Sequence, residues 1–370
     1  MYKIFLALLV LTGSLTFVPA QEKPVNPNSN GQTAYSESMS YEPRKFEENN
    51  AKKKKEKQSK SESDEKNKAP ESAAVQKAAA DTGIKIPVFV YDAKGIPVND
   101  LKDSDFKLFV DGNEQGILAF EKADQPLDLV LIVDMSPSTA YKPKDIKTFV
   151  TTLAESLKPQ DKIQIISFNQ ELKILCEPTS DKQLINKAIK KLEMGDGTSI
   201  YEAVETIFQK IINSGDGQKS IVILSDGVDT TSRKANYLTS LLSAEKASAP
   251  VFVFYLDTFN FIPTFRPNSA PLLGILGTGR GVGSSKEEYE LGLTYLQDIA
   301  LLSGGRSLQV KNLTEVKTDE IAGILDFLKP RYFISFKLAE NVNPAERKQL
   351  KVRVNRPNVT VRARGSYLAQ

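Results

Sequence analysis

Three oxygen-bearing side chains stand at alternate positions in Asp134-Met135-Ser136-Pro137-Ser138, a D-x-S-x-S run. One carboxylate and two hydroxyls are hard ligands, suited to Mg²⁺, Mn²⁺ or Ca²⁺ rather than to zinc or copper. Asp and Ser are also ordinary turn and helix-capping residues, so the run takes its meaning from the element that carries it. That element is the apolar stretch Leu127 to Val133, interrupted only by Asp128. A short, β-branched run stopped by turn residues predicts a strand buried on both faces, as in a parallel sheet. Open α/β sheets place their ligand sites just past the carboxyl ends of such strands.

The following residues continue the alternation. Ile146, Phe149, Val150, Leu153 and Leu157 repeat at helical spacing over 144–157. A strand is expected at 161–168, a short edge strand at 172–176 and a helix at 182–192. A turn at 195–199 precedes a helix over 200–212. The apolar run Ser220 to Ser225 is a second buried strand, stopped by Asp226-Gly227, and 251–256 is a third. Helices are expected at 295–302 and 316–328. The order predicts an α/β fold with a doubly wound, mostly parallel sheet. Right-handed crossovers would bring the ends of the first two buried strands to one edge.

With these motifs in order, the region from about Pro126 to Pro330 resembles a von Willebrand factor A (vWA) domain, a Rossmann-like fold. Asp134, Ser136 and Ser138 match the first motif of that family's metal-ion-dependent adhesion site. Thr198 in GDGTSIYEAV and Asp226 in IVILSDGVDT match the Thr and Asp of the other two. The resemblance implies a divalent ion, Mg²⁺ or alternatively Mn²⁺ or Ca²⁺, held by Asp134, Ser136, Ser138, Thr198 and Asp226. It further implies that Asp226, alone or together with Asp134, contacts the ion partly through water, and that a partner protein completes the shell with an Asp or Glu carboxylate. Asp196 and Asp229 are read as turn residues.

Short alternating runs bounded by Gly, Asp and Asn flank this region. They include Ile84 to Val90, Phe106 to Val110 and Gly116 to Phe120 before it, and 332–336, 351–354 and 359–362 after it. A small β-sandwich-like domain built from both ends is expected, with the α/β domain inserted. The run DAKGIPVNDLKDSDFKLFVDG, with RARGSY near the end, resembles the flanks of bacterial vWA-related proteins first grouped from acidobacteria. The N-terminus carries Lys3, an apolar stretch from Ile4 to Val18 and Val18-Pro19-Ala20, the pattern of a signal peptide. The apolar stretch is shorter than the roughly 20 residues of a membrane-spanning helix, so no stable span is expected after cleavage. Residues 21–82 are polar and charged and read as a disordered linker. The expected divisions are therefore 1–20, 21–82, 83–125, 126–330 and 331–370. The glycine-rich stretch 259–288 lacks the spacing of a phosphate-binding loop and reads as a mobile surface loop.

The chain has 370 residues, a formal net charge of +3, no His and one Cys. Near-balanced charge gives no case for nucleic acid. Absence of His excludes Ser-His-Asp and Cys-His catalysis and His-ligated zinc. Cys176 lies in an apolar run and reads as a buried structural thiol. Hydrolysis at a metal would need a positioned nucleophile and an acid or base, and no pair of that kind stands out. The expectation is an exported, secreted or periplasmic, non-catalytic protein that binds a protein ligand. A scaffold with a fold-stabilising metal is the first alternative, and a metal-dependent hydrolase the second.

Overall fold

The structure is a computed structural model. It describes residues 15–17, 35–38, 84–123, 125–139, 143–212, 219–246, 249–259, 285–310, 313, 316, 318–337 and 346–368. In chain order the strands are β1 (Leu15–Phe17), β2 (Ser36–Glu37), β3 (Ile84–Tyr91), β4 (Phe106–Val110), β5 (Asn113–Gln115), β6 (Ala119–Lys122), β7 (Asp128–Asp134), β8 (Lys162–Phe168) and β9 (Leu172–Thr179). They continue as β10 (Lys219–Ser225), β11 (Val251–Leu256), β12 (Arg306–Val310), β13 (Tyr332–Phe336), β14 (Arg347–Val354), β15 (Thr360–Arg362) and β16 (Ser366–Leu368). The helices are α1 (Pro143–Glu155), α2 (Lys182–Lys190), α3 (Ile200–Ile207), α4 (Tyr237–Lys246), α5 (Lys286–Ser303) and α6 (Thr318–Phe327).

A seven-stranded sheet runs in the order β1-β12-β11-β10-β7-β8-β9. Neighbours from β12 to β8 pair in parallel; β1 and β9 pair antiparallel at the two edges. The continuous apolar runs of β7, β10 and β11 follow from burial on both faces. Leu129, Leu131 and Val133 of β7 pack with α1, α2 and α6, whereas Val130 and Ile132 pack with α3, α4 and α5. Side chains alternate across a strand, so one strand feeds two cores and the sheet is covered by helices on both sides. The mixed α/β, mostly parallel architecture read from the sequence is the one found.

The antiparallel strands form two further sheets, β15-β3-β13-β6 and β16-β14-β4-β5, with β2 also on β14. Ile86, Val88, Val90, Tyr332, Ile334 and Phe336 of the first share a core with Phe106, Leu108, Val110, Leu350, Val352 and Val354 of the second. In β4 and β14 every second residue faces that core. Strand β13, which follows the large sheet in the chain, lies between β3 and β6, which precede it.

Several elements differ from their sequence-based expectations. Helix α5 begins at Lys286, nine residues before the expected start, so 286–288 are helical rather than part of a surface loop. Helix α4 and strand β12 were not anticipated. Tyr35 to Ser38 depart from the disordered linker: β2 pairs with Arg353 and Val354, and Ser38 exchanges hydrogen bonds with Val352. Strand β1 falls within the stretch read as a signal peptide. The rest of 1–20, of the linker and of the glycine-rich stretch up to Ser284 lies outside the described residues.

Candidate metal centre

Strands β7 and β10 are parallel neighbours with Val133 opposite Leu224. Both therefore end at the same edge, and Asp134 and Asp226 leave the sheet side by side. Asp134 Oδ1 accepts from the Ser136 amide at 3.0 Å. Its Oδ2 accepts from the Ser225 hydroxyl, which in turn accepts from the Gly227 amide at 2.9 Å. Asp226 Oδ1 accepts from the Val228 amide at 3.2 Å, and its Oδ2 from the Thr258 hydroxyl at 2.7 Å. The Ser136 and Ser138 hydroxyls are 3.0 Å apart, and Ser138 reaches on to Asp226. Four of the five sequence-based candidates are thus joined by one chain of hydrogen bonds.

Thr198 is held by its backbone. Its amide donates to Thr230 Oγ1 at 2.9 Å, and its carbonyl accepts from the amides of Thr230 and Thr231. Gly195 N–H donates to the Met135 carbonyl at 3.0 Å, tying the same loop to the end of β7. Gly197 has φ +64°, and a Cβ there would lie 2.5 Å from the Thr231 side chain. A glycine is needed for this approach on both counts. The Thr198 hydroxyl itself is fully enclosed and has no hydrogen-bond partner. Buried hydroxyls are nearly always paired, and this oxygen keeps both lone pairs free of protein donors.

The electrostatics agree. Asp134 and Asp226 are completely buried. Burial first, and then the charge of Asp226, push the Asp134 carboxyl up to about 7. Burial also raises Asp226, against the hydrogen bonds from Ser138 and Thr258 that lower it. The buried ion pairs among the described residues lie elsewhere, at Asp161–Lys329 and Glu245–Arg347. Two buried carboxylates, two hydroxyls joined to one of them and an orphaned third hydroxyl fit a hard divalent ion. Among the described residues no cluster of three or more His, Cys, Asp or Glu offers a competing site.

Asp229 accepts from the Ser232 hydroxyl at 2.6 Å and from the Tyr201 amide at 3.2 Å, so it caps the start of α3. The carbonyl of Asp196 accepts from the Gln170 amide. Asp196 lies in a bend before α3, and Asp229 in the loop after β10. Three neighbours of the site were missed: Ser225, Thr258 and Tyr289. Thr258 stands two residues past the end of β11, so the same strand-end rule that located Asp134 would have found it. Tyr289 gave no local signal.

Residues 129–228 match the family model described as von Willebrand factor type A domain. That stretch of the α/β region is similar to a von Willebrand factor type A domain. An uncharacterized protein of Borreliella burgdorferi is 26% identical over 110 residues, 27% of this chain and 32% of that protein. The chain thus matches about a third of the length of this curated relative. Similar solved structures include BatB from Bacteroides thetaiotaomicron, at 17% identity, TM-score 0.38, 55% of this chain and 97% of that one. Another is proximal thread matrix protein 1 from the mussel byssus with a zinc-occupied MIDAS motif, at 17% identity, TM-score 0.37, 56% of this chain and 48% of that one. The vWF domain of the pilus tip protein Mfa5 from Porphyromonas gingivalis gives 21% identity, TM-score 0.25, 29% of this chain and 40% of that one. Among the described residues, no helix is long and apolar enough to cross a membrane.

Proposed function

We propose that the chain is an exported, non-catalytic vWA-domain protein that binds a protein partner through a divalent ion, Mg²⁺ by preference, in adhesion or in assembly of an envelope complex. Asp134, Ser136, Ser138, Thr198 and Asp226 would hold the ion. The observation that carries this reading is the Thr198 hydroxyl, enclosed beside the strand ends and bonded to nothing. A bound divalent ion supplies positive charge and a position for an outside oxygen ligand. Asp134 and Asp226 offset part of that charge, and the three hydroxyls add none. The remaining positive charge favours an anionic ligand, so an Asp or Glu of the partner fits the open position. Export rests on the N-terminal sequence pattern.

One observation favours a second reading, in which the metal only stabilises the fold. None of the five side chains is more than 6% exposed, so an outside carboxylate reaches them only if covering side chains move. A pull-down from envelope extract with the full chain, in Mg²⁺ and in EDTA beside Asp134→Ala, separates the two. A partner retained only with Mg²⁺ and Asp134 supports metal-bridged binding. Identical partners in every lane, with Mg²⁺ still raising the melting temperature, support the stabilising role.

A further inference from the structure

Tyr289 lies close enough to Thr258 and Asp226 to feel both, although it arrives from a different layer of the fold. It lies in the first turn of α5, one helical turn before Gly292. Residues three apart share a helix face, and Gly292 sits against Gly227: a Cβ on Gly292 would stand 2.6 Å from the Gly227 carbonyl carbon. The contact seats this face of α5 on the loop that begins at Asp226. Tyr289 is 3% exposed, its ring packs on Phe259 with centroids 5.3 Å apart, and its hydroxyl lies beside that of Thr258 without forming a hydrogen bond of ordinary geometry. The Thr258 hydroxyl donates to Asp226, so toward the phenol it can only accept, and its nearness lowers the phenol's pKa slightly. After burial, the charge of Asp226 is the largest influence raising the phenol, to about 12, and Asp134 adds to it. A phenol so placed keeps its proton at any physiological pH and can only act as a neutral hydrogen-bonding group.

An enclosed O–H without a well-formed hydrogen bond is destabilising unless something fills the position. Thr198 and Tyr289 present this cost twice, around the same pair of carboxylates. We propose that the Tyr289 hydroxyl donates a hydrogen bond to the oxygen ligand in the ion's open position, and so selects for an anionic oxygen there. The proposal rests on the metal-site reading above. It makes Tyr289 a ligand-contacting residue that belongs to none of the three strand-end motifs.

The test uses the full chain, Mn²⁺ as the metal and acetate as the carboxylate probe. Mn²⁺ affinity is measured by electron paramagnetic resonance with and without acetate, for wild type, Tyr289→Phe and Asp134→Ala. The expected result is that acetate tightens Mn²⁺ binding in wild type, and that Tyr289→Phe weakens this coupling by about tenfold, the range of one charge-assisted hydrogen bond. Mn²⁺ affinity without acetate should stay within about twofold, because the phenol is not an ion ligand. Metal-free Tyr289→Phe should melt no lower than wild type, since an unpaired hydroxyl is removed. Undiminished coupling in Tyr289→Phe, or no coupling in wild type, overturns the role of Tyr289 alone. A lowered melting temperature of the metal-free variant also overturns it, by showing an internal partner. Mn²⁺ binding that is absent from wild type or unaffected by Asp134→Ala overturns the metal site and this role together.

Discussion

Gly227 and Gly292 meet backbone to backbone. A Cβ on Gly227 would stand 2.4 Å from the Gly292 carbonyl oxygen, and Gly227 also has φ +79°. The contact joins the loop after β10 to α5, the helix that carries Tyr289. Gly292→Ala should therefore push α5 outward and cost about 1–3 kcal/mol, the range for overpacking a tight contact. Gly323 in α6 has nothing within 4 Å of its missing Cβ. Gly323→Ala should stabilise by up to about 1 kcal/mol through helix propensity. Urea unfolding of both variants checks the pair, and equal effects would show that the Gly227 contact is not tight.

Thr198→Val isolates the orphaned hydroxyl. The loop is held by backbone hydrogen bonds from Thr230 and Thr231, which the substitution keeps. Metal-free stability should be unchanged or higher, because an unpaired buried group is lost. The stabilisation conferred by Mg²⁺ should fall, as one of the proposed ligands is missing. Thermal melts in EDTA and in Mg²⁺ read both quantities, and a metal-free loss would mean that the hydroxyl has a partner after all.

Asp134 sets a pH dependence whose sign is fixed. Its folded value of about 7 lies above the ordinary 3.8, so the folded state binds its proton more tightly than the unfolded one. The stability linked to that proton is complete below 3.8 and is lost as pH rises through about 7. In EDTA, Asp134→Asn should gain on wild type as pH rises across this window, and saturating Mg²⁺ should reverse the order near pH 7. Chemical unfolding at a series of pH values checks this. A difference that does not change with pH would show that the carboxylate is not held near neutrality.

The sheet of β14 and β16 is clamped to the α/β region at Glu245 of α4. Glu245 is fully buried and accepts two hydrogen bonds from Arg347, at 2.8 and 2.7 Å, and one from Ser366. Arg364, also buried, donates to the Glu245 carbonyl and to the Ser366 carbonyl, and burial brings its pKa down to about 10. Glu245→Ala would leave two guanidinium groups without this carboxylate. The expected cost is about 3–5 kcal/mol, as for a broken buried ion pair. Denaturant unfolding should also separate into two steps as the domains uncouple; a single unshifted transition would place the coupling elsewhere.

The parts of this fold legible in the sequence are those whose signal is local. Uninterrupted apolar runs ending in turn residues marked β7, β10 and β11, and the periodicity of Ile146, Phe149, Val150 and Leu153 marked α1. Helix α4 was not legible, because its buried face carries Ser240, Ser243 and Glu245 while Leu238 and Leu242 are exposed. Its polar residues are satisfied by distant partners, Tyr295 for Ser240 and Arg347 for Glu245. The start of α5 did have a local mark, the capping box of Ser285 and Glu288.

The sequence by itself determined which residues could ligate an ion, since ligand type and position at a strand end are properties of short segments. It also determined that the sheet would be buried on both faces, because runs such as Leu129 to Val133 leave no polar side to face water. Only the tertiary structure decided what surrounds the carboxylates. Register puts Val133 opposite Leu224 and so Ser225 against Asp134. The end of β11 brings Thr258 to Asp226, and the Gly227–Gly292 contact packs α5 on the loop that begins at Asp226. Those contacts join residues about thirty to ninety positions apart in the chain. No local pattern encodes them, because they follow from how strands align and how closely a helix can approach.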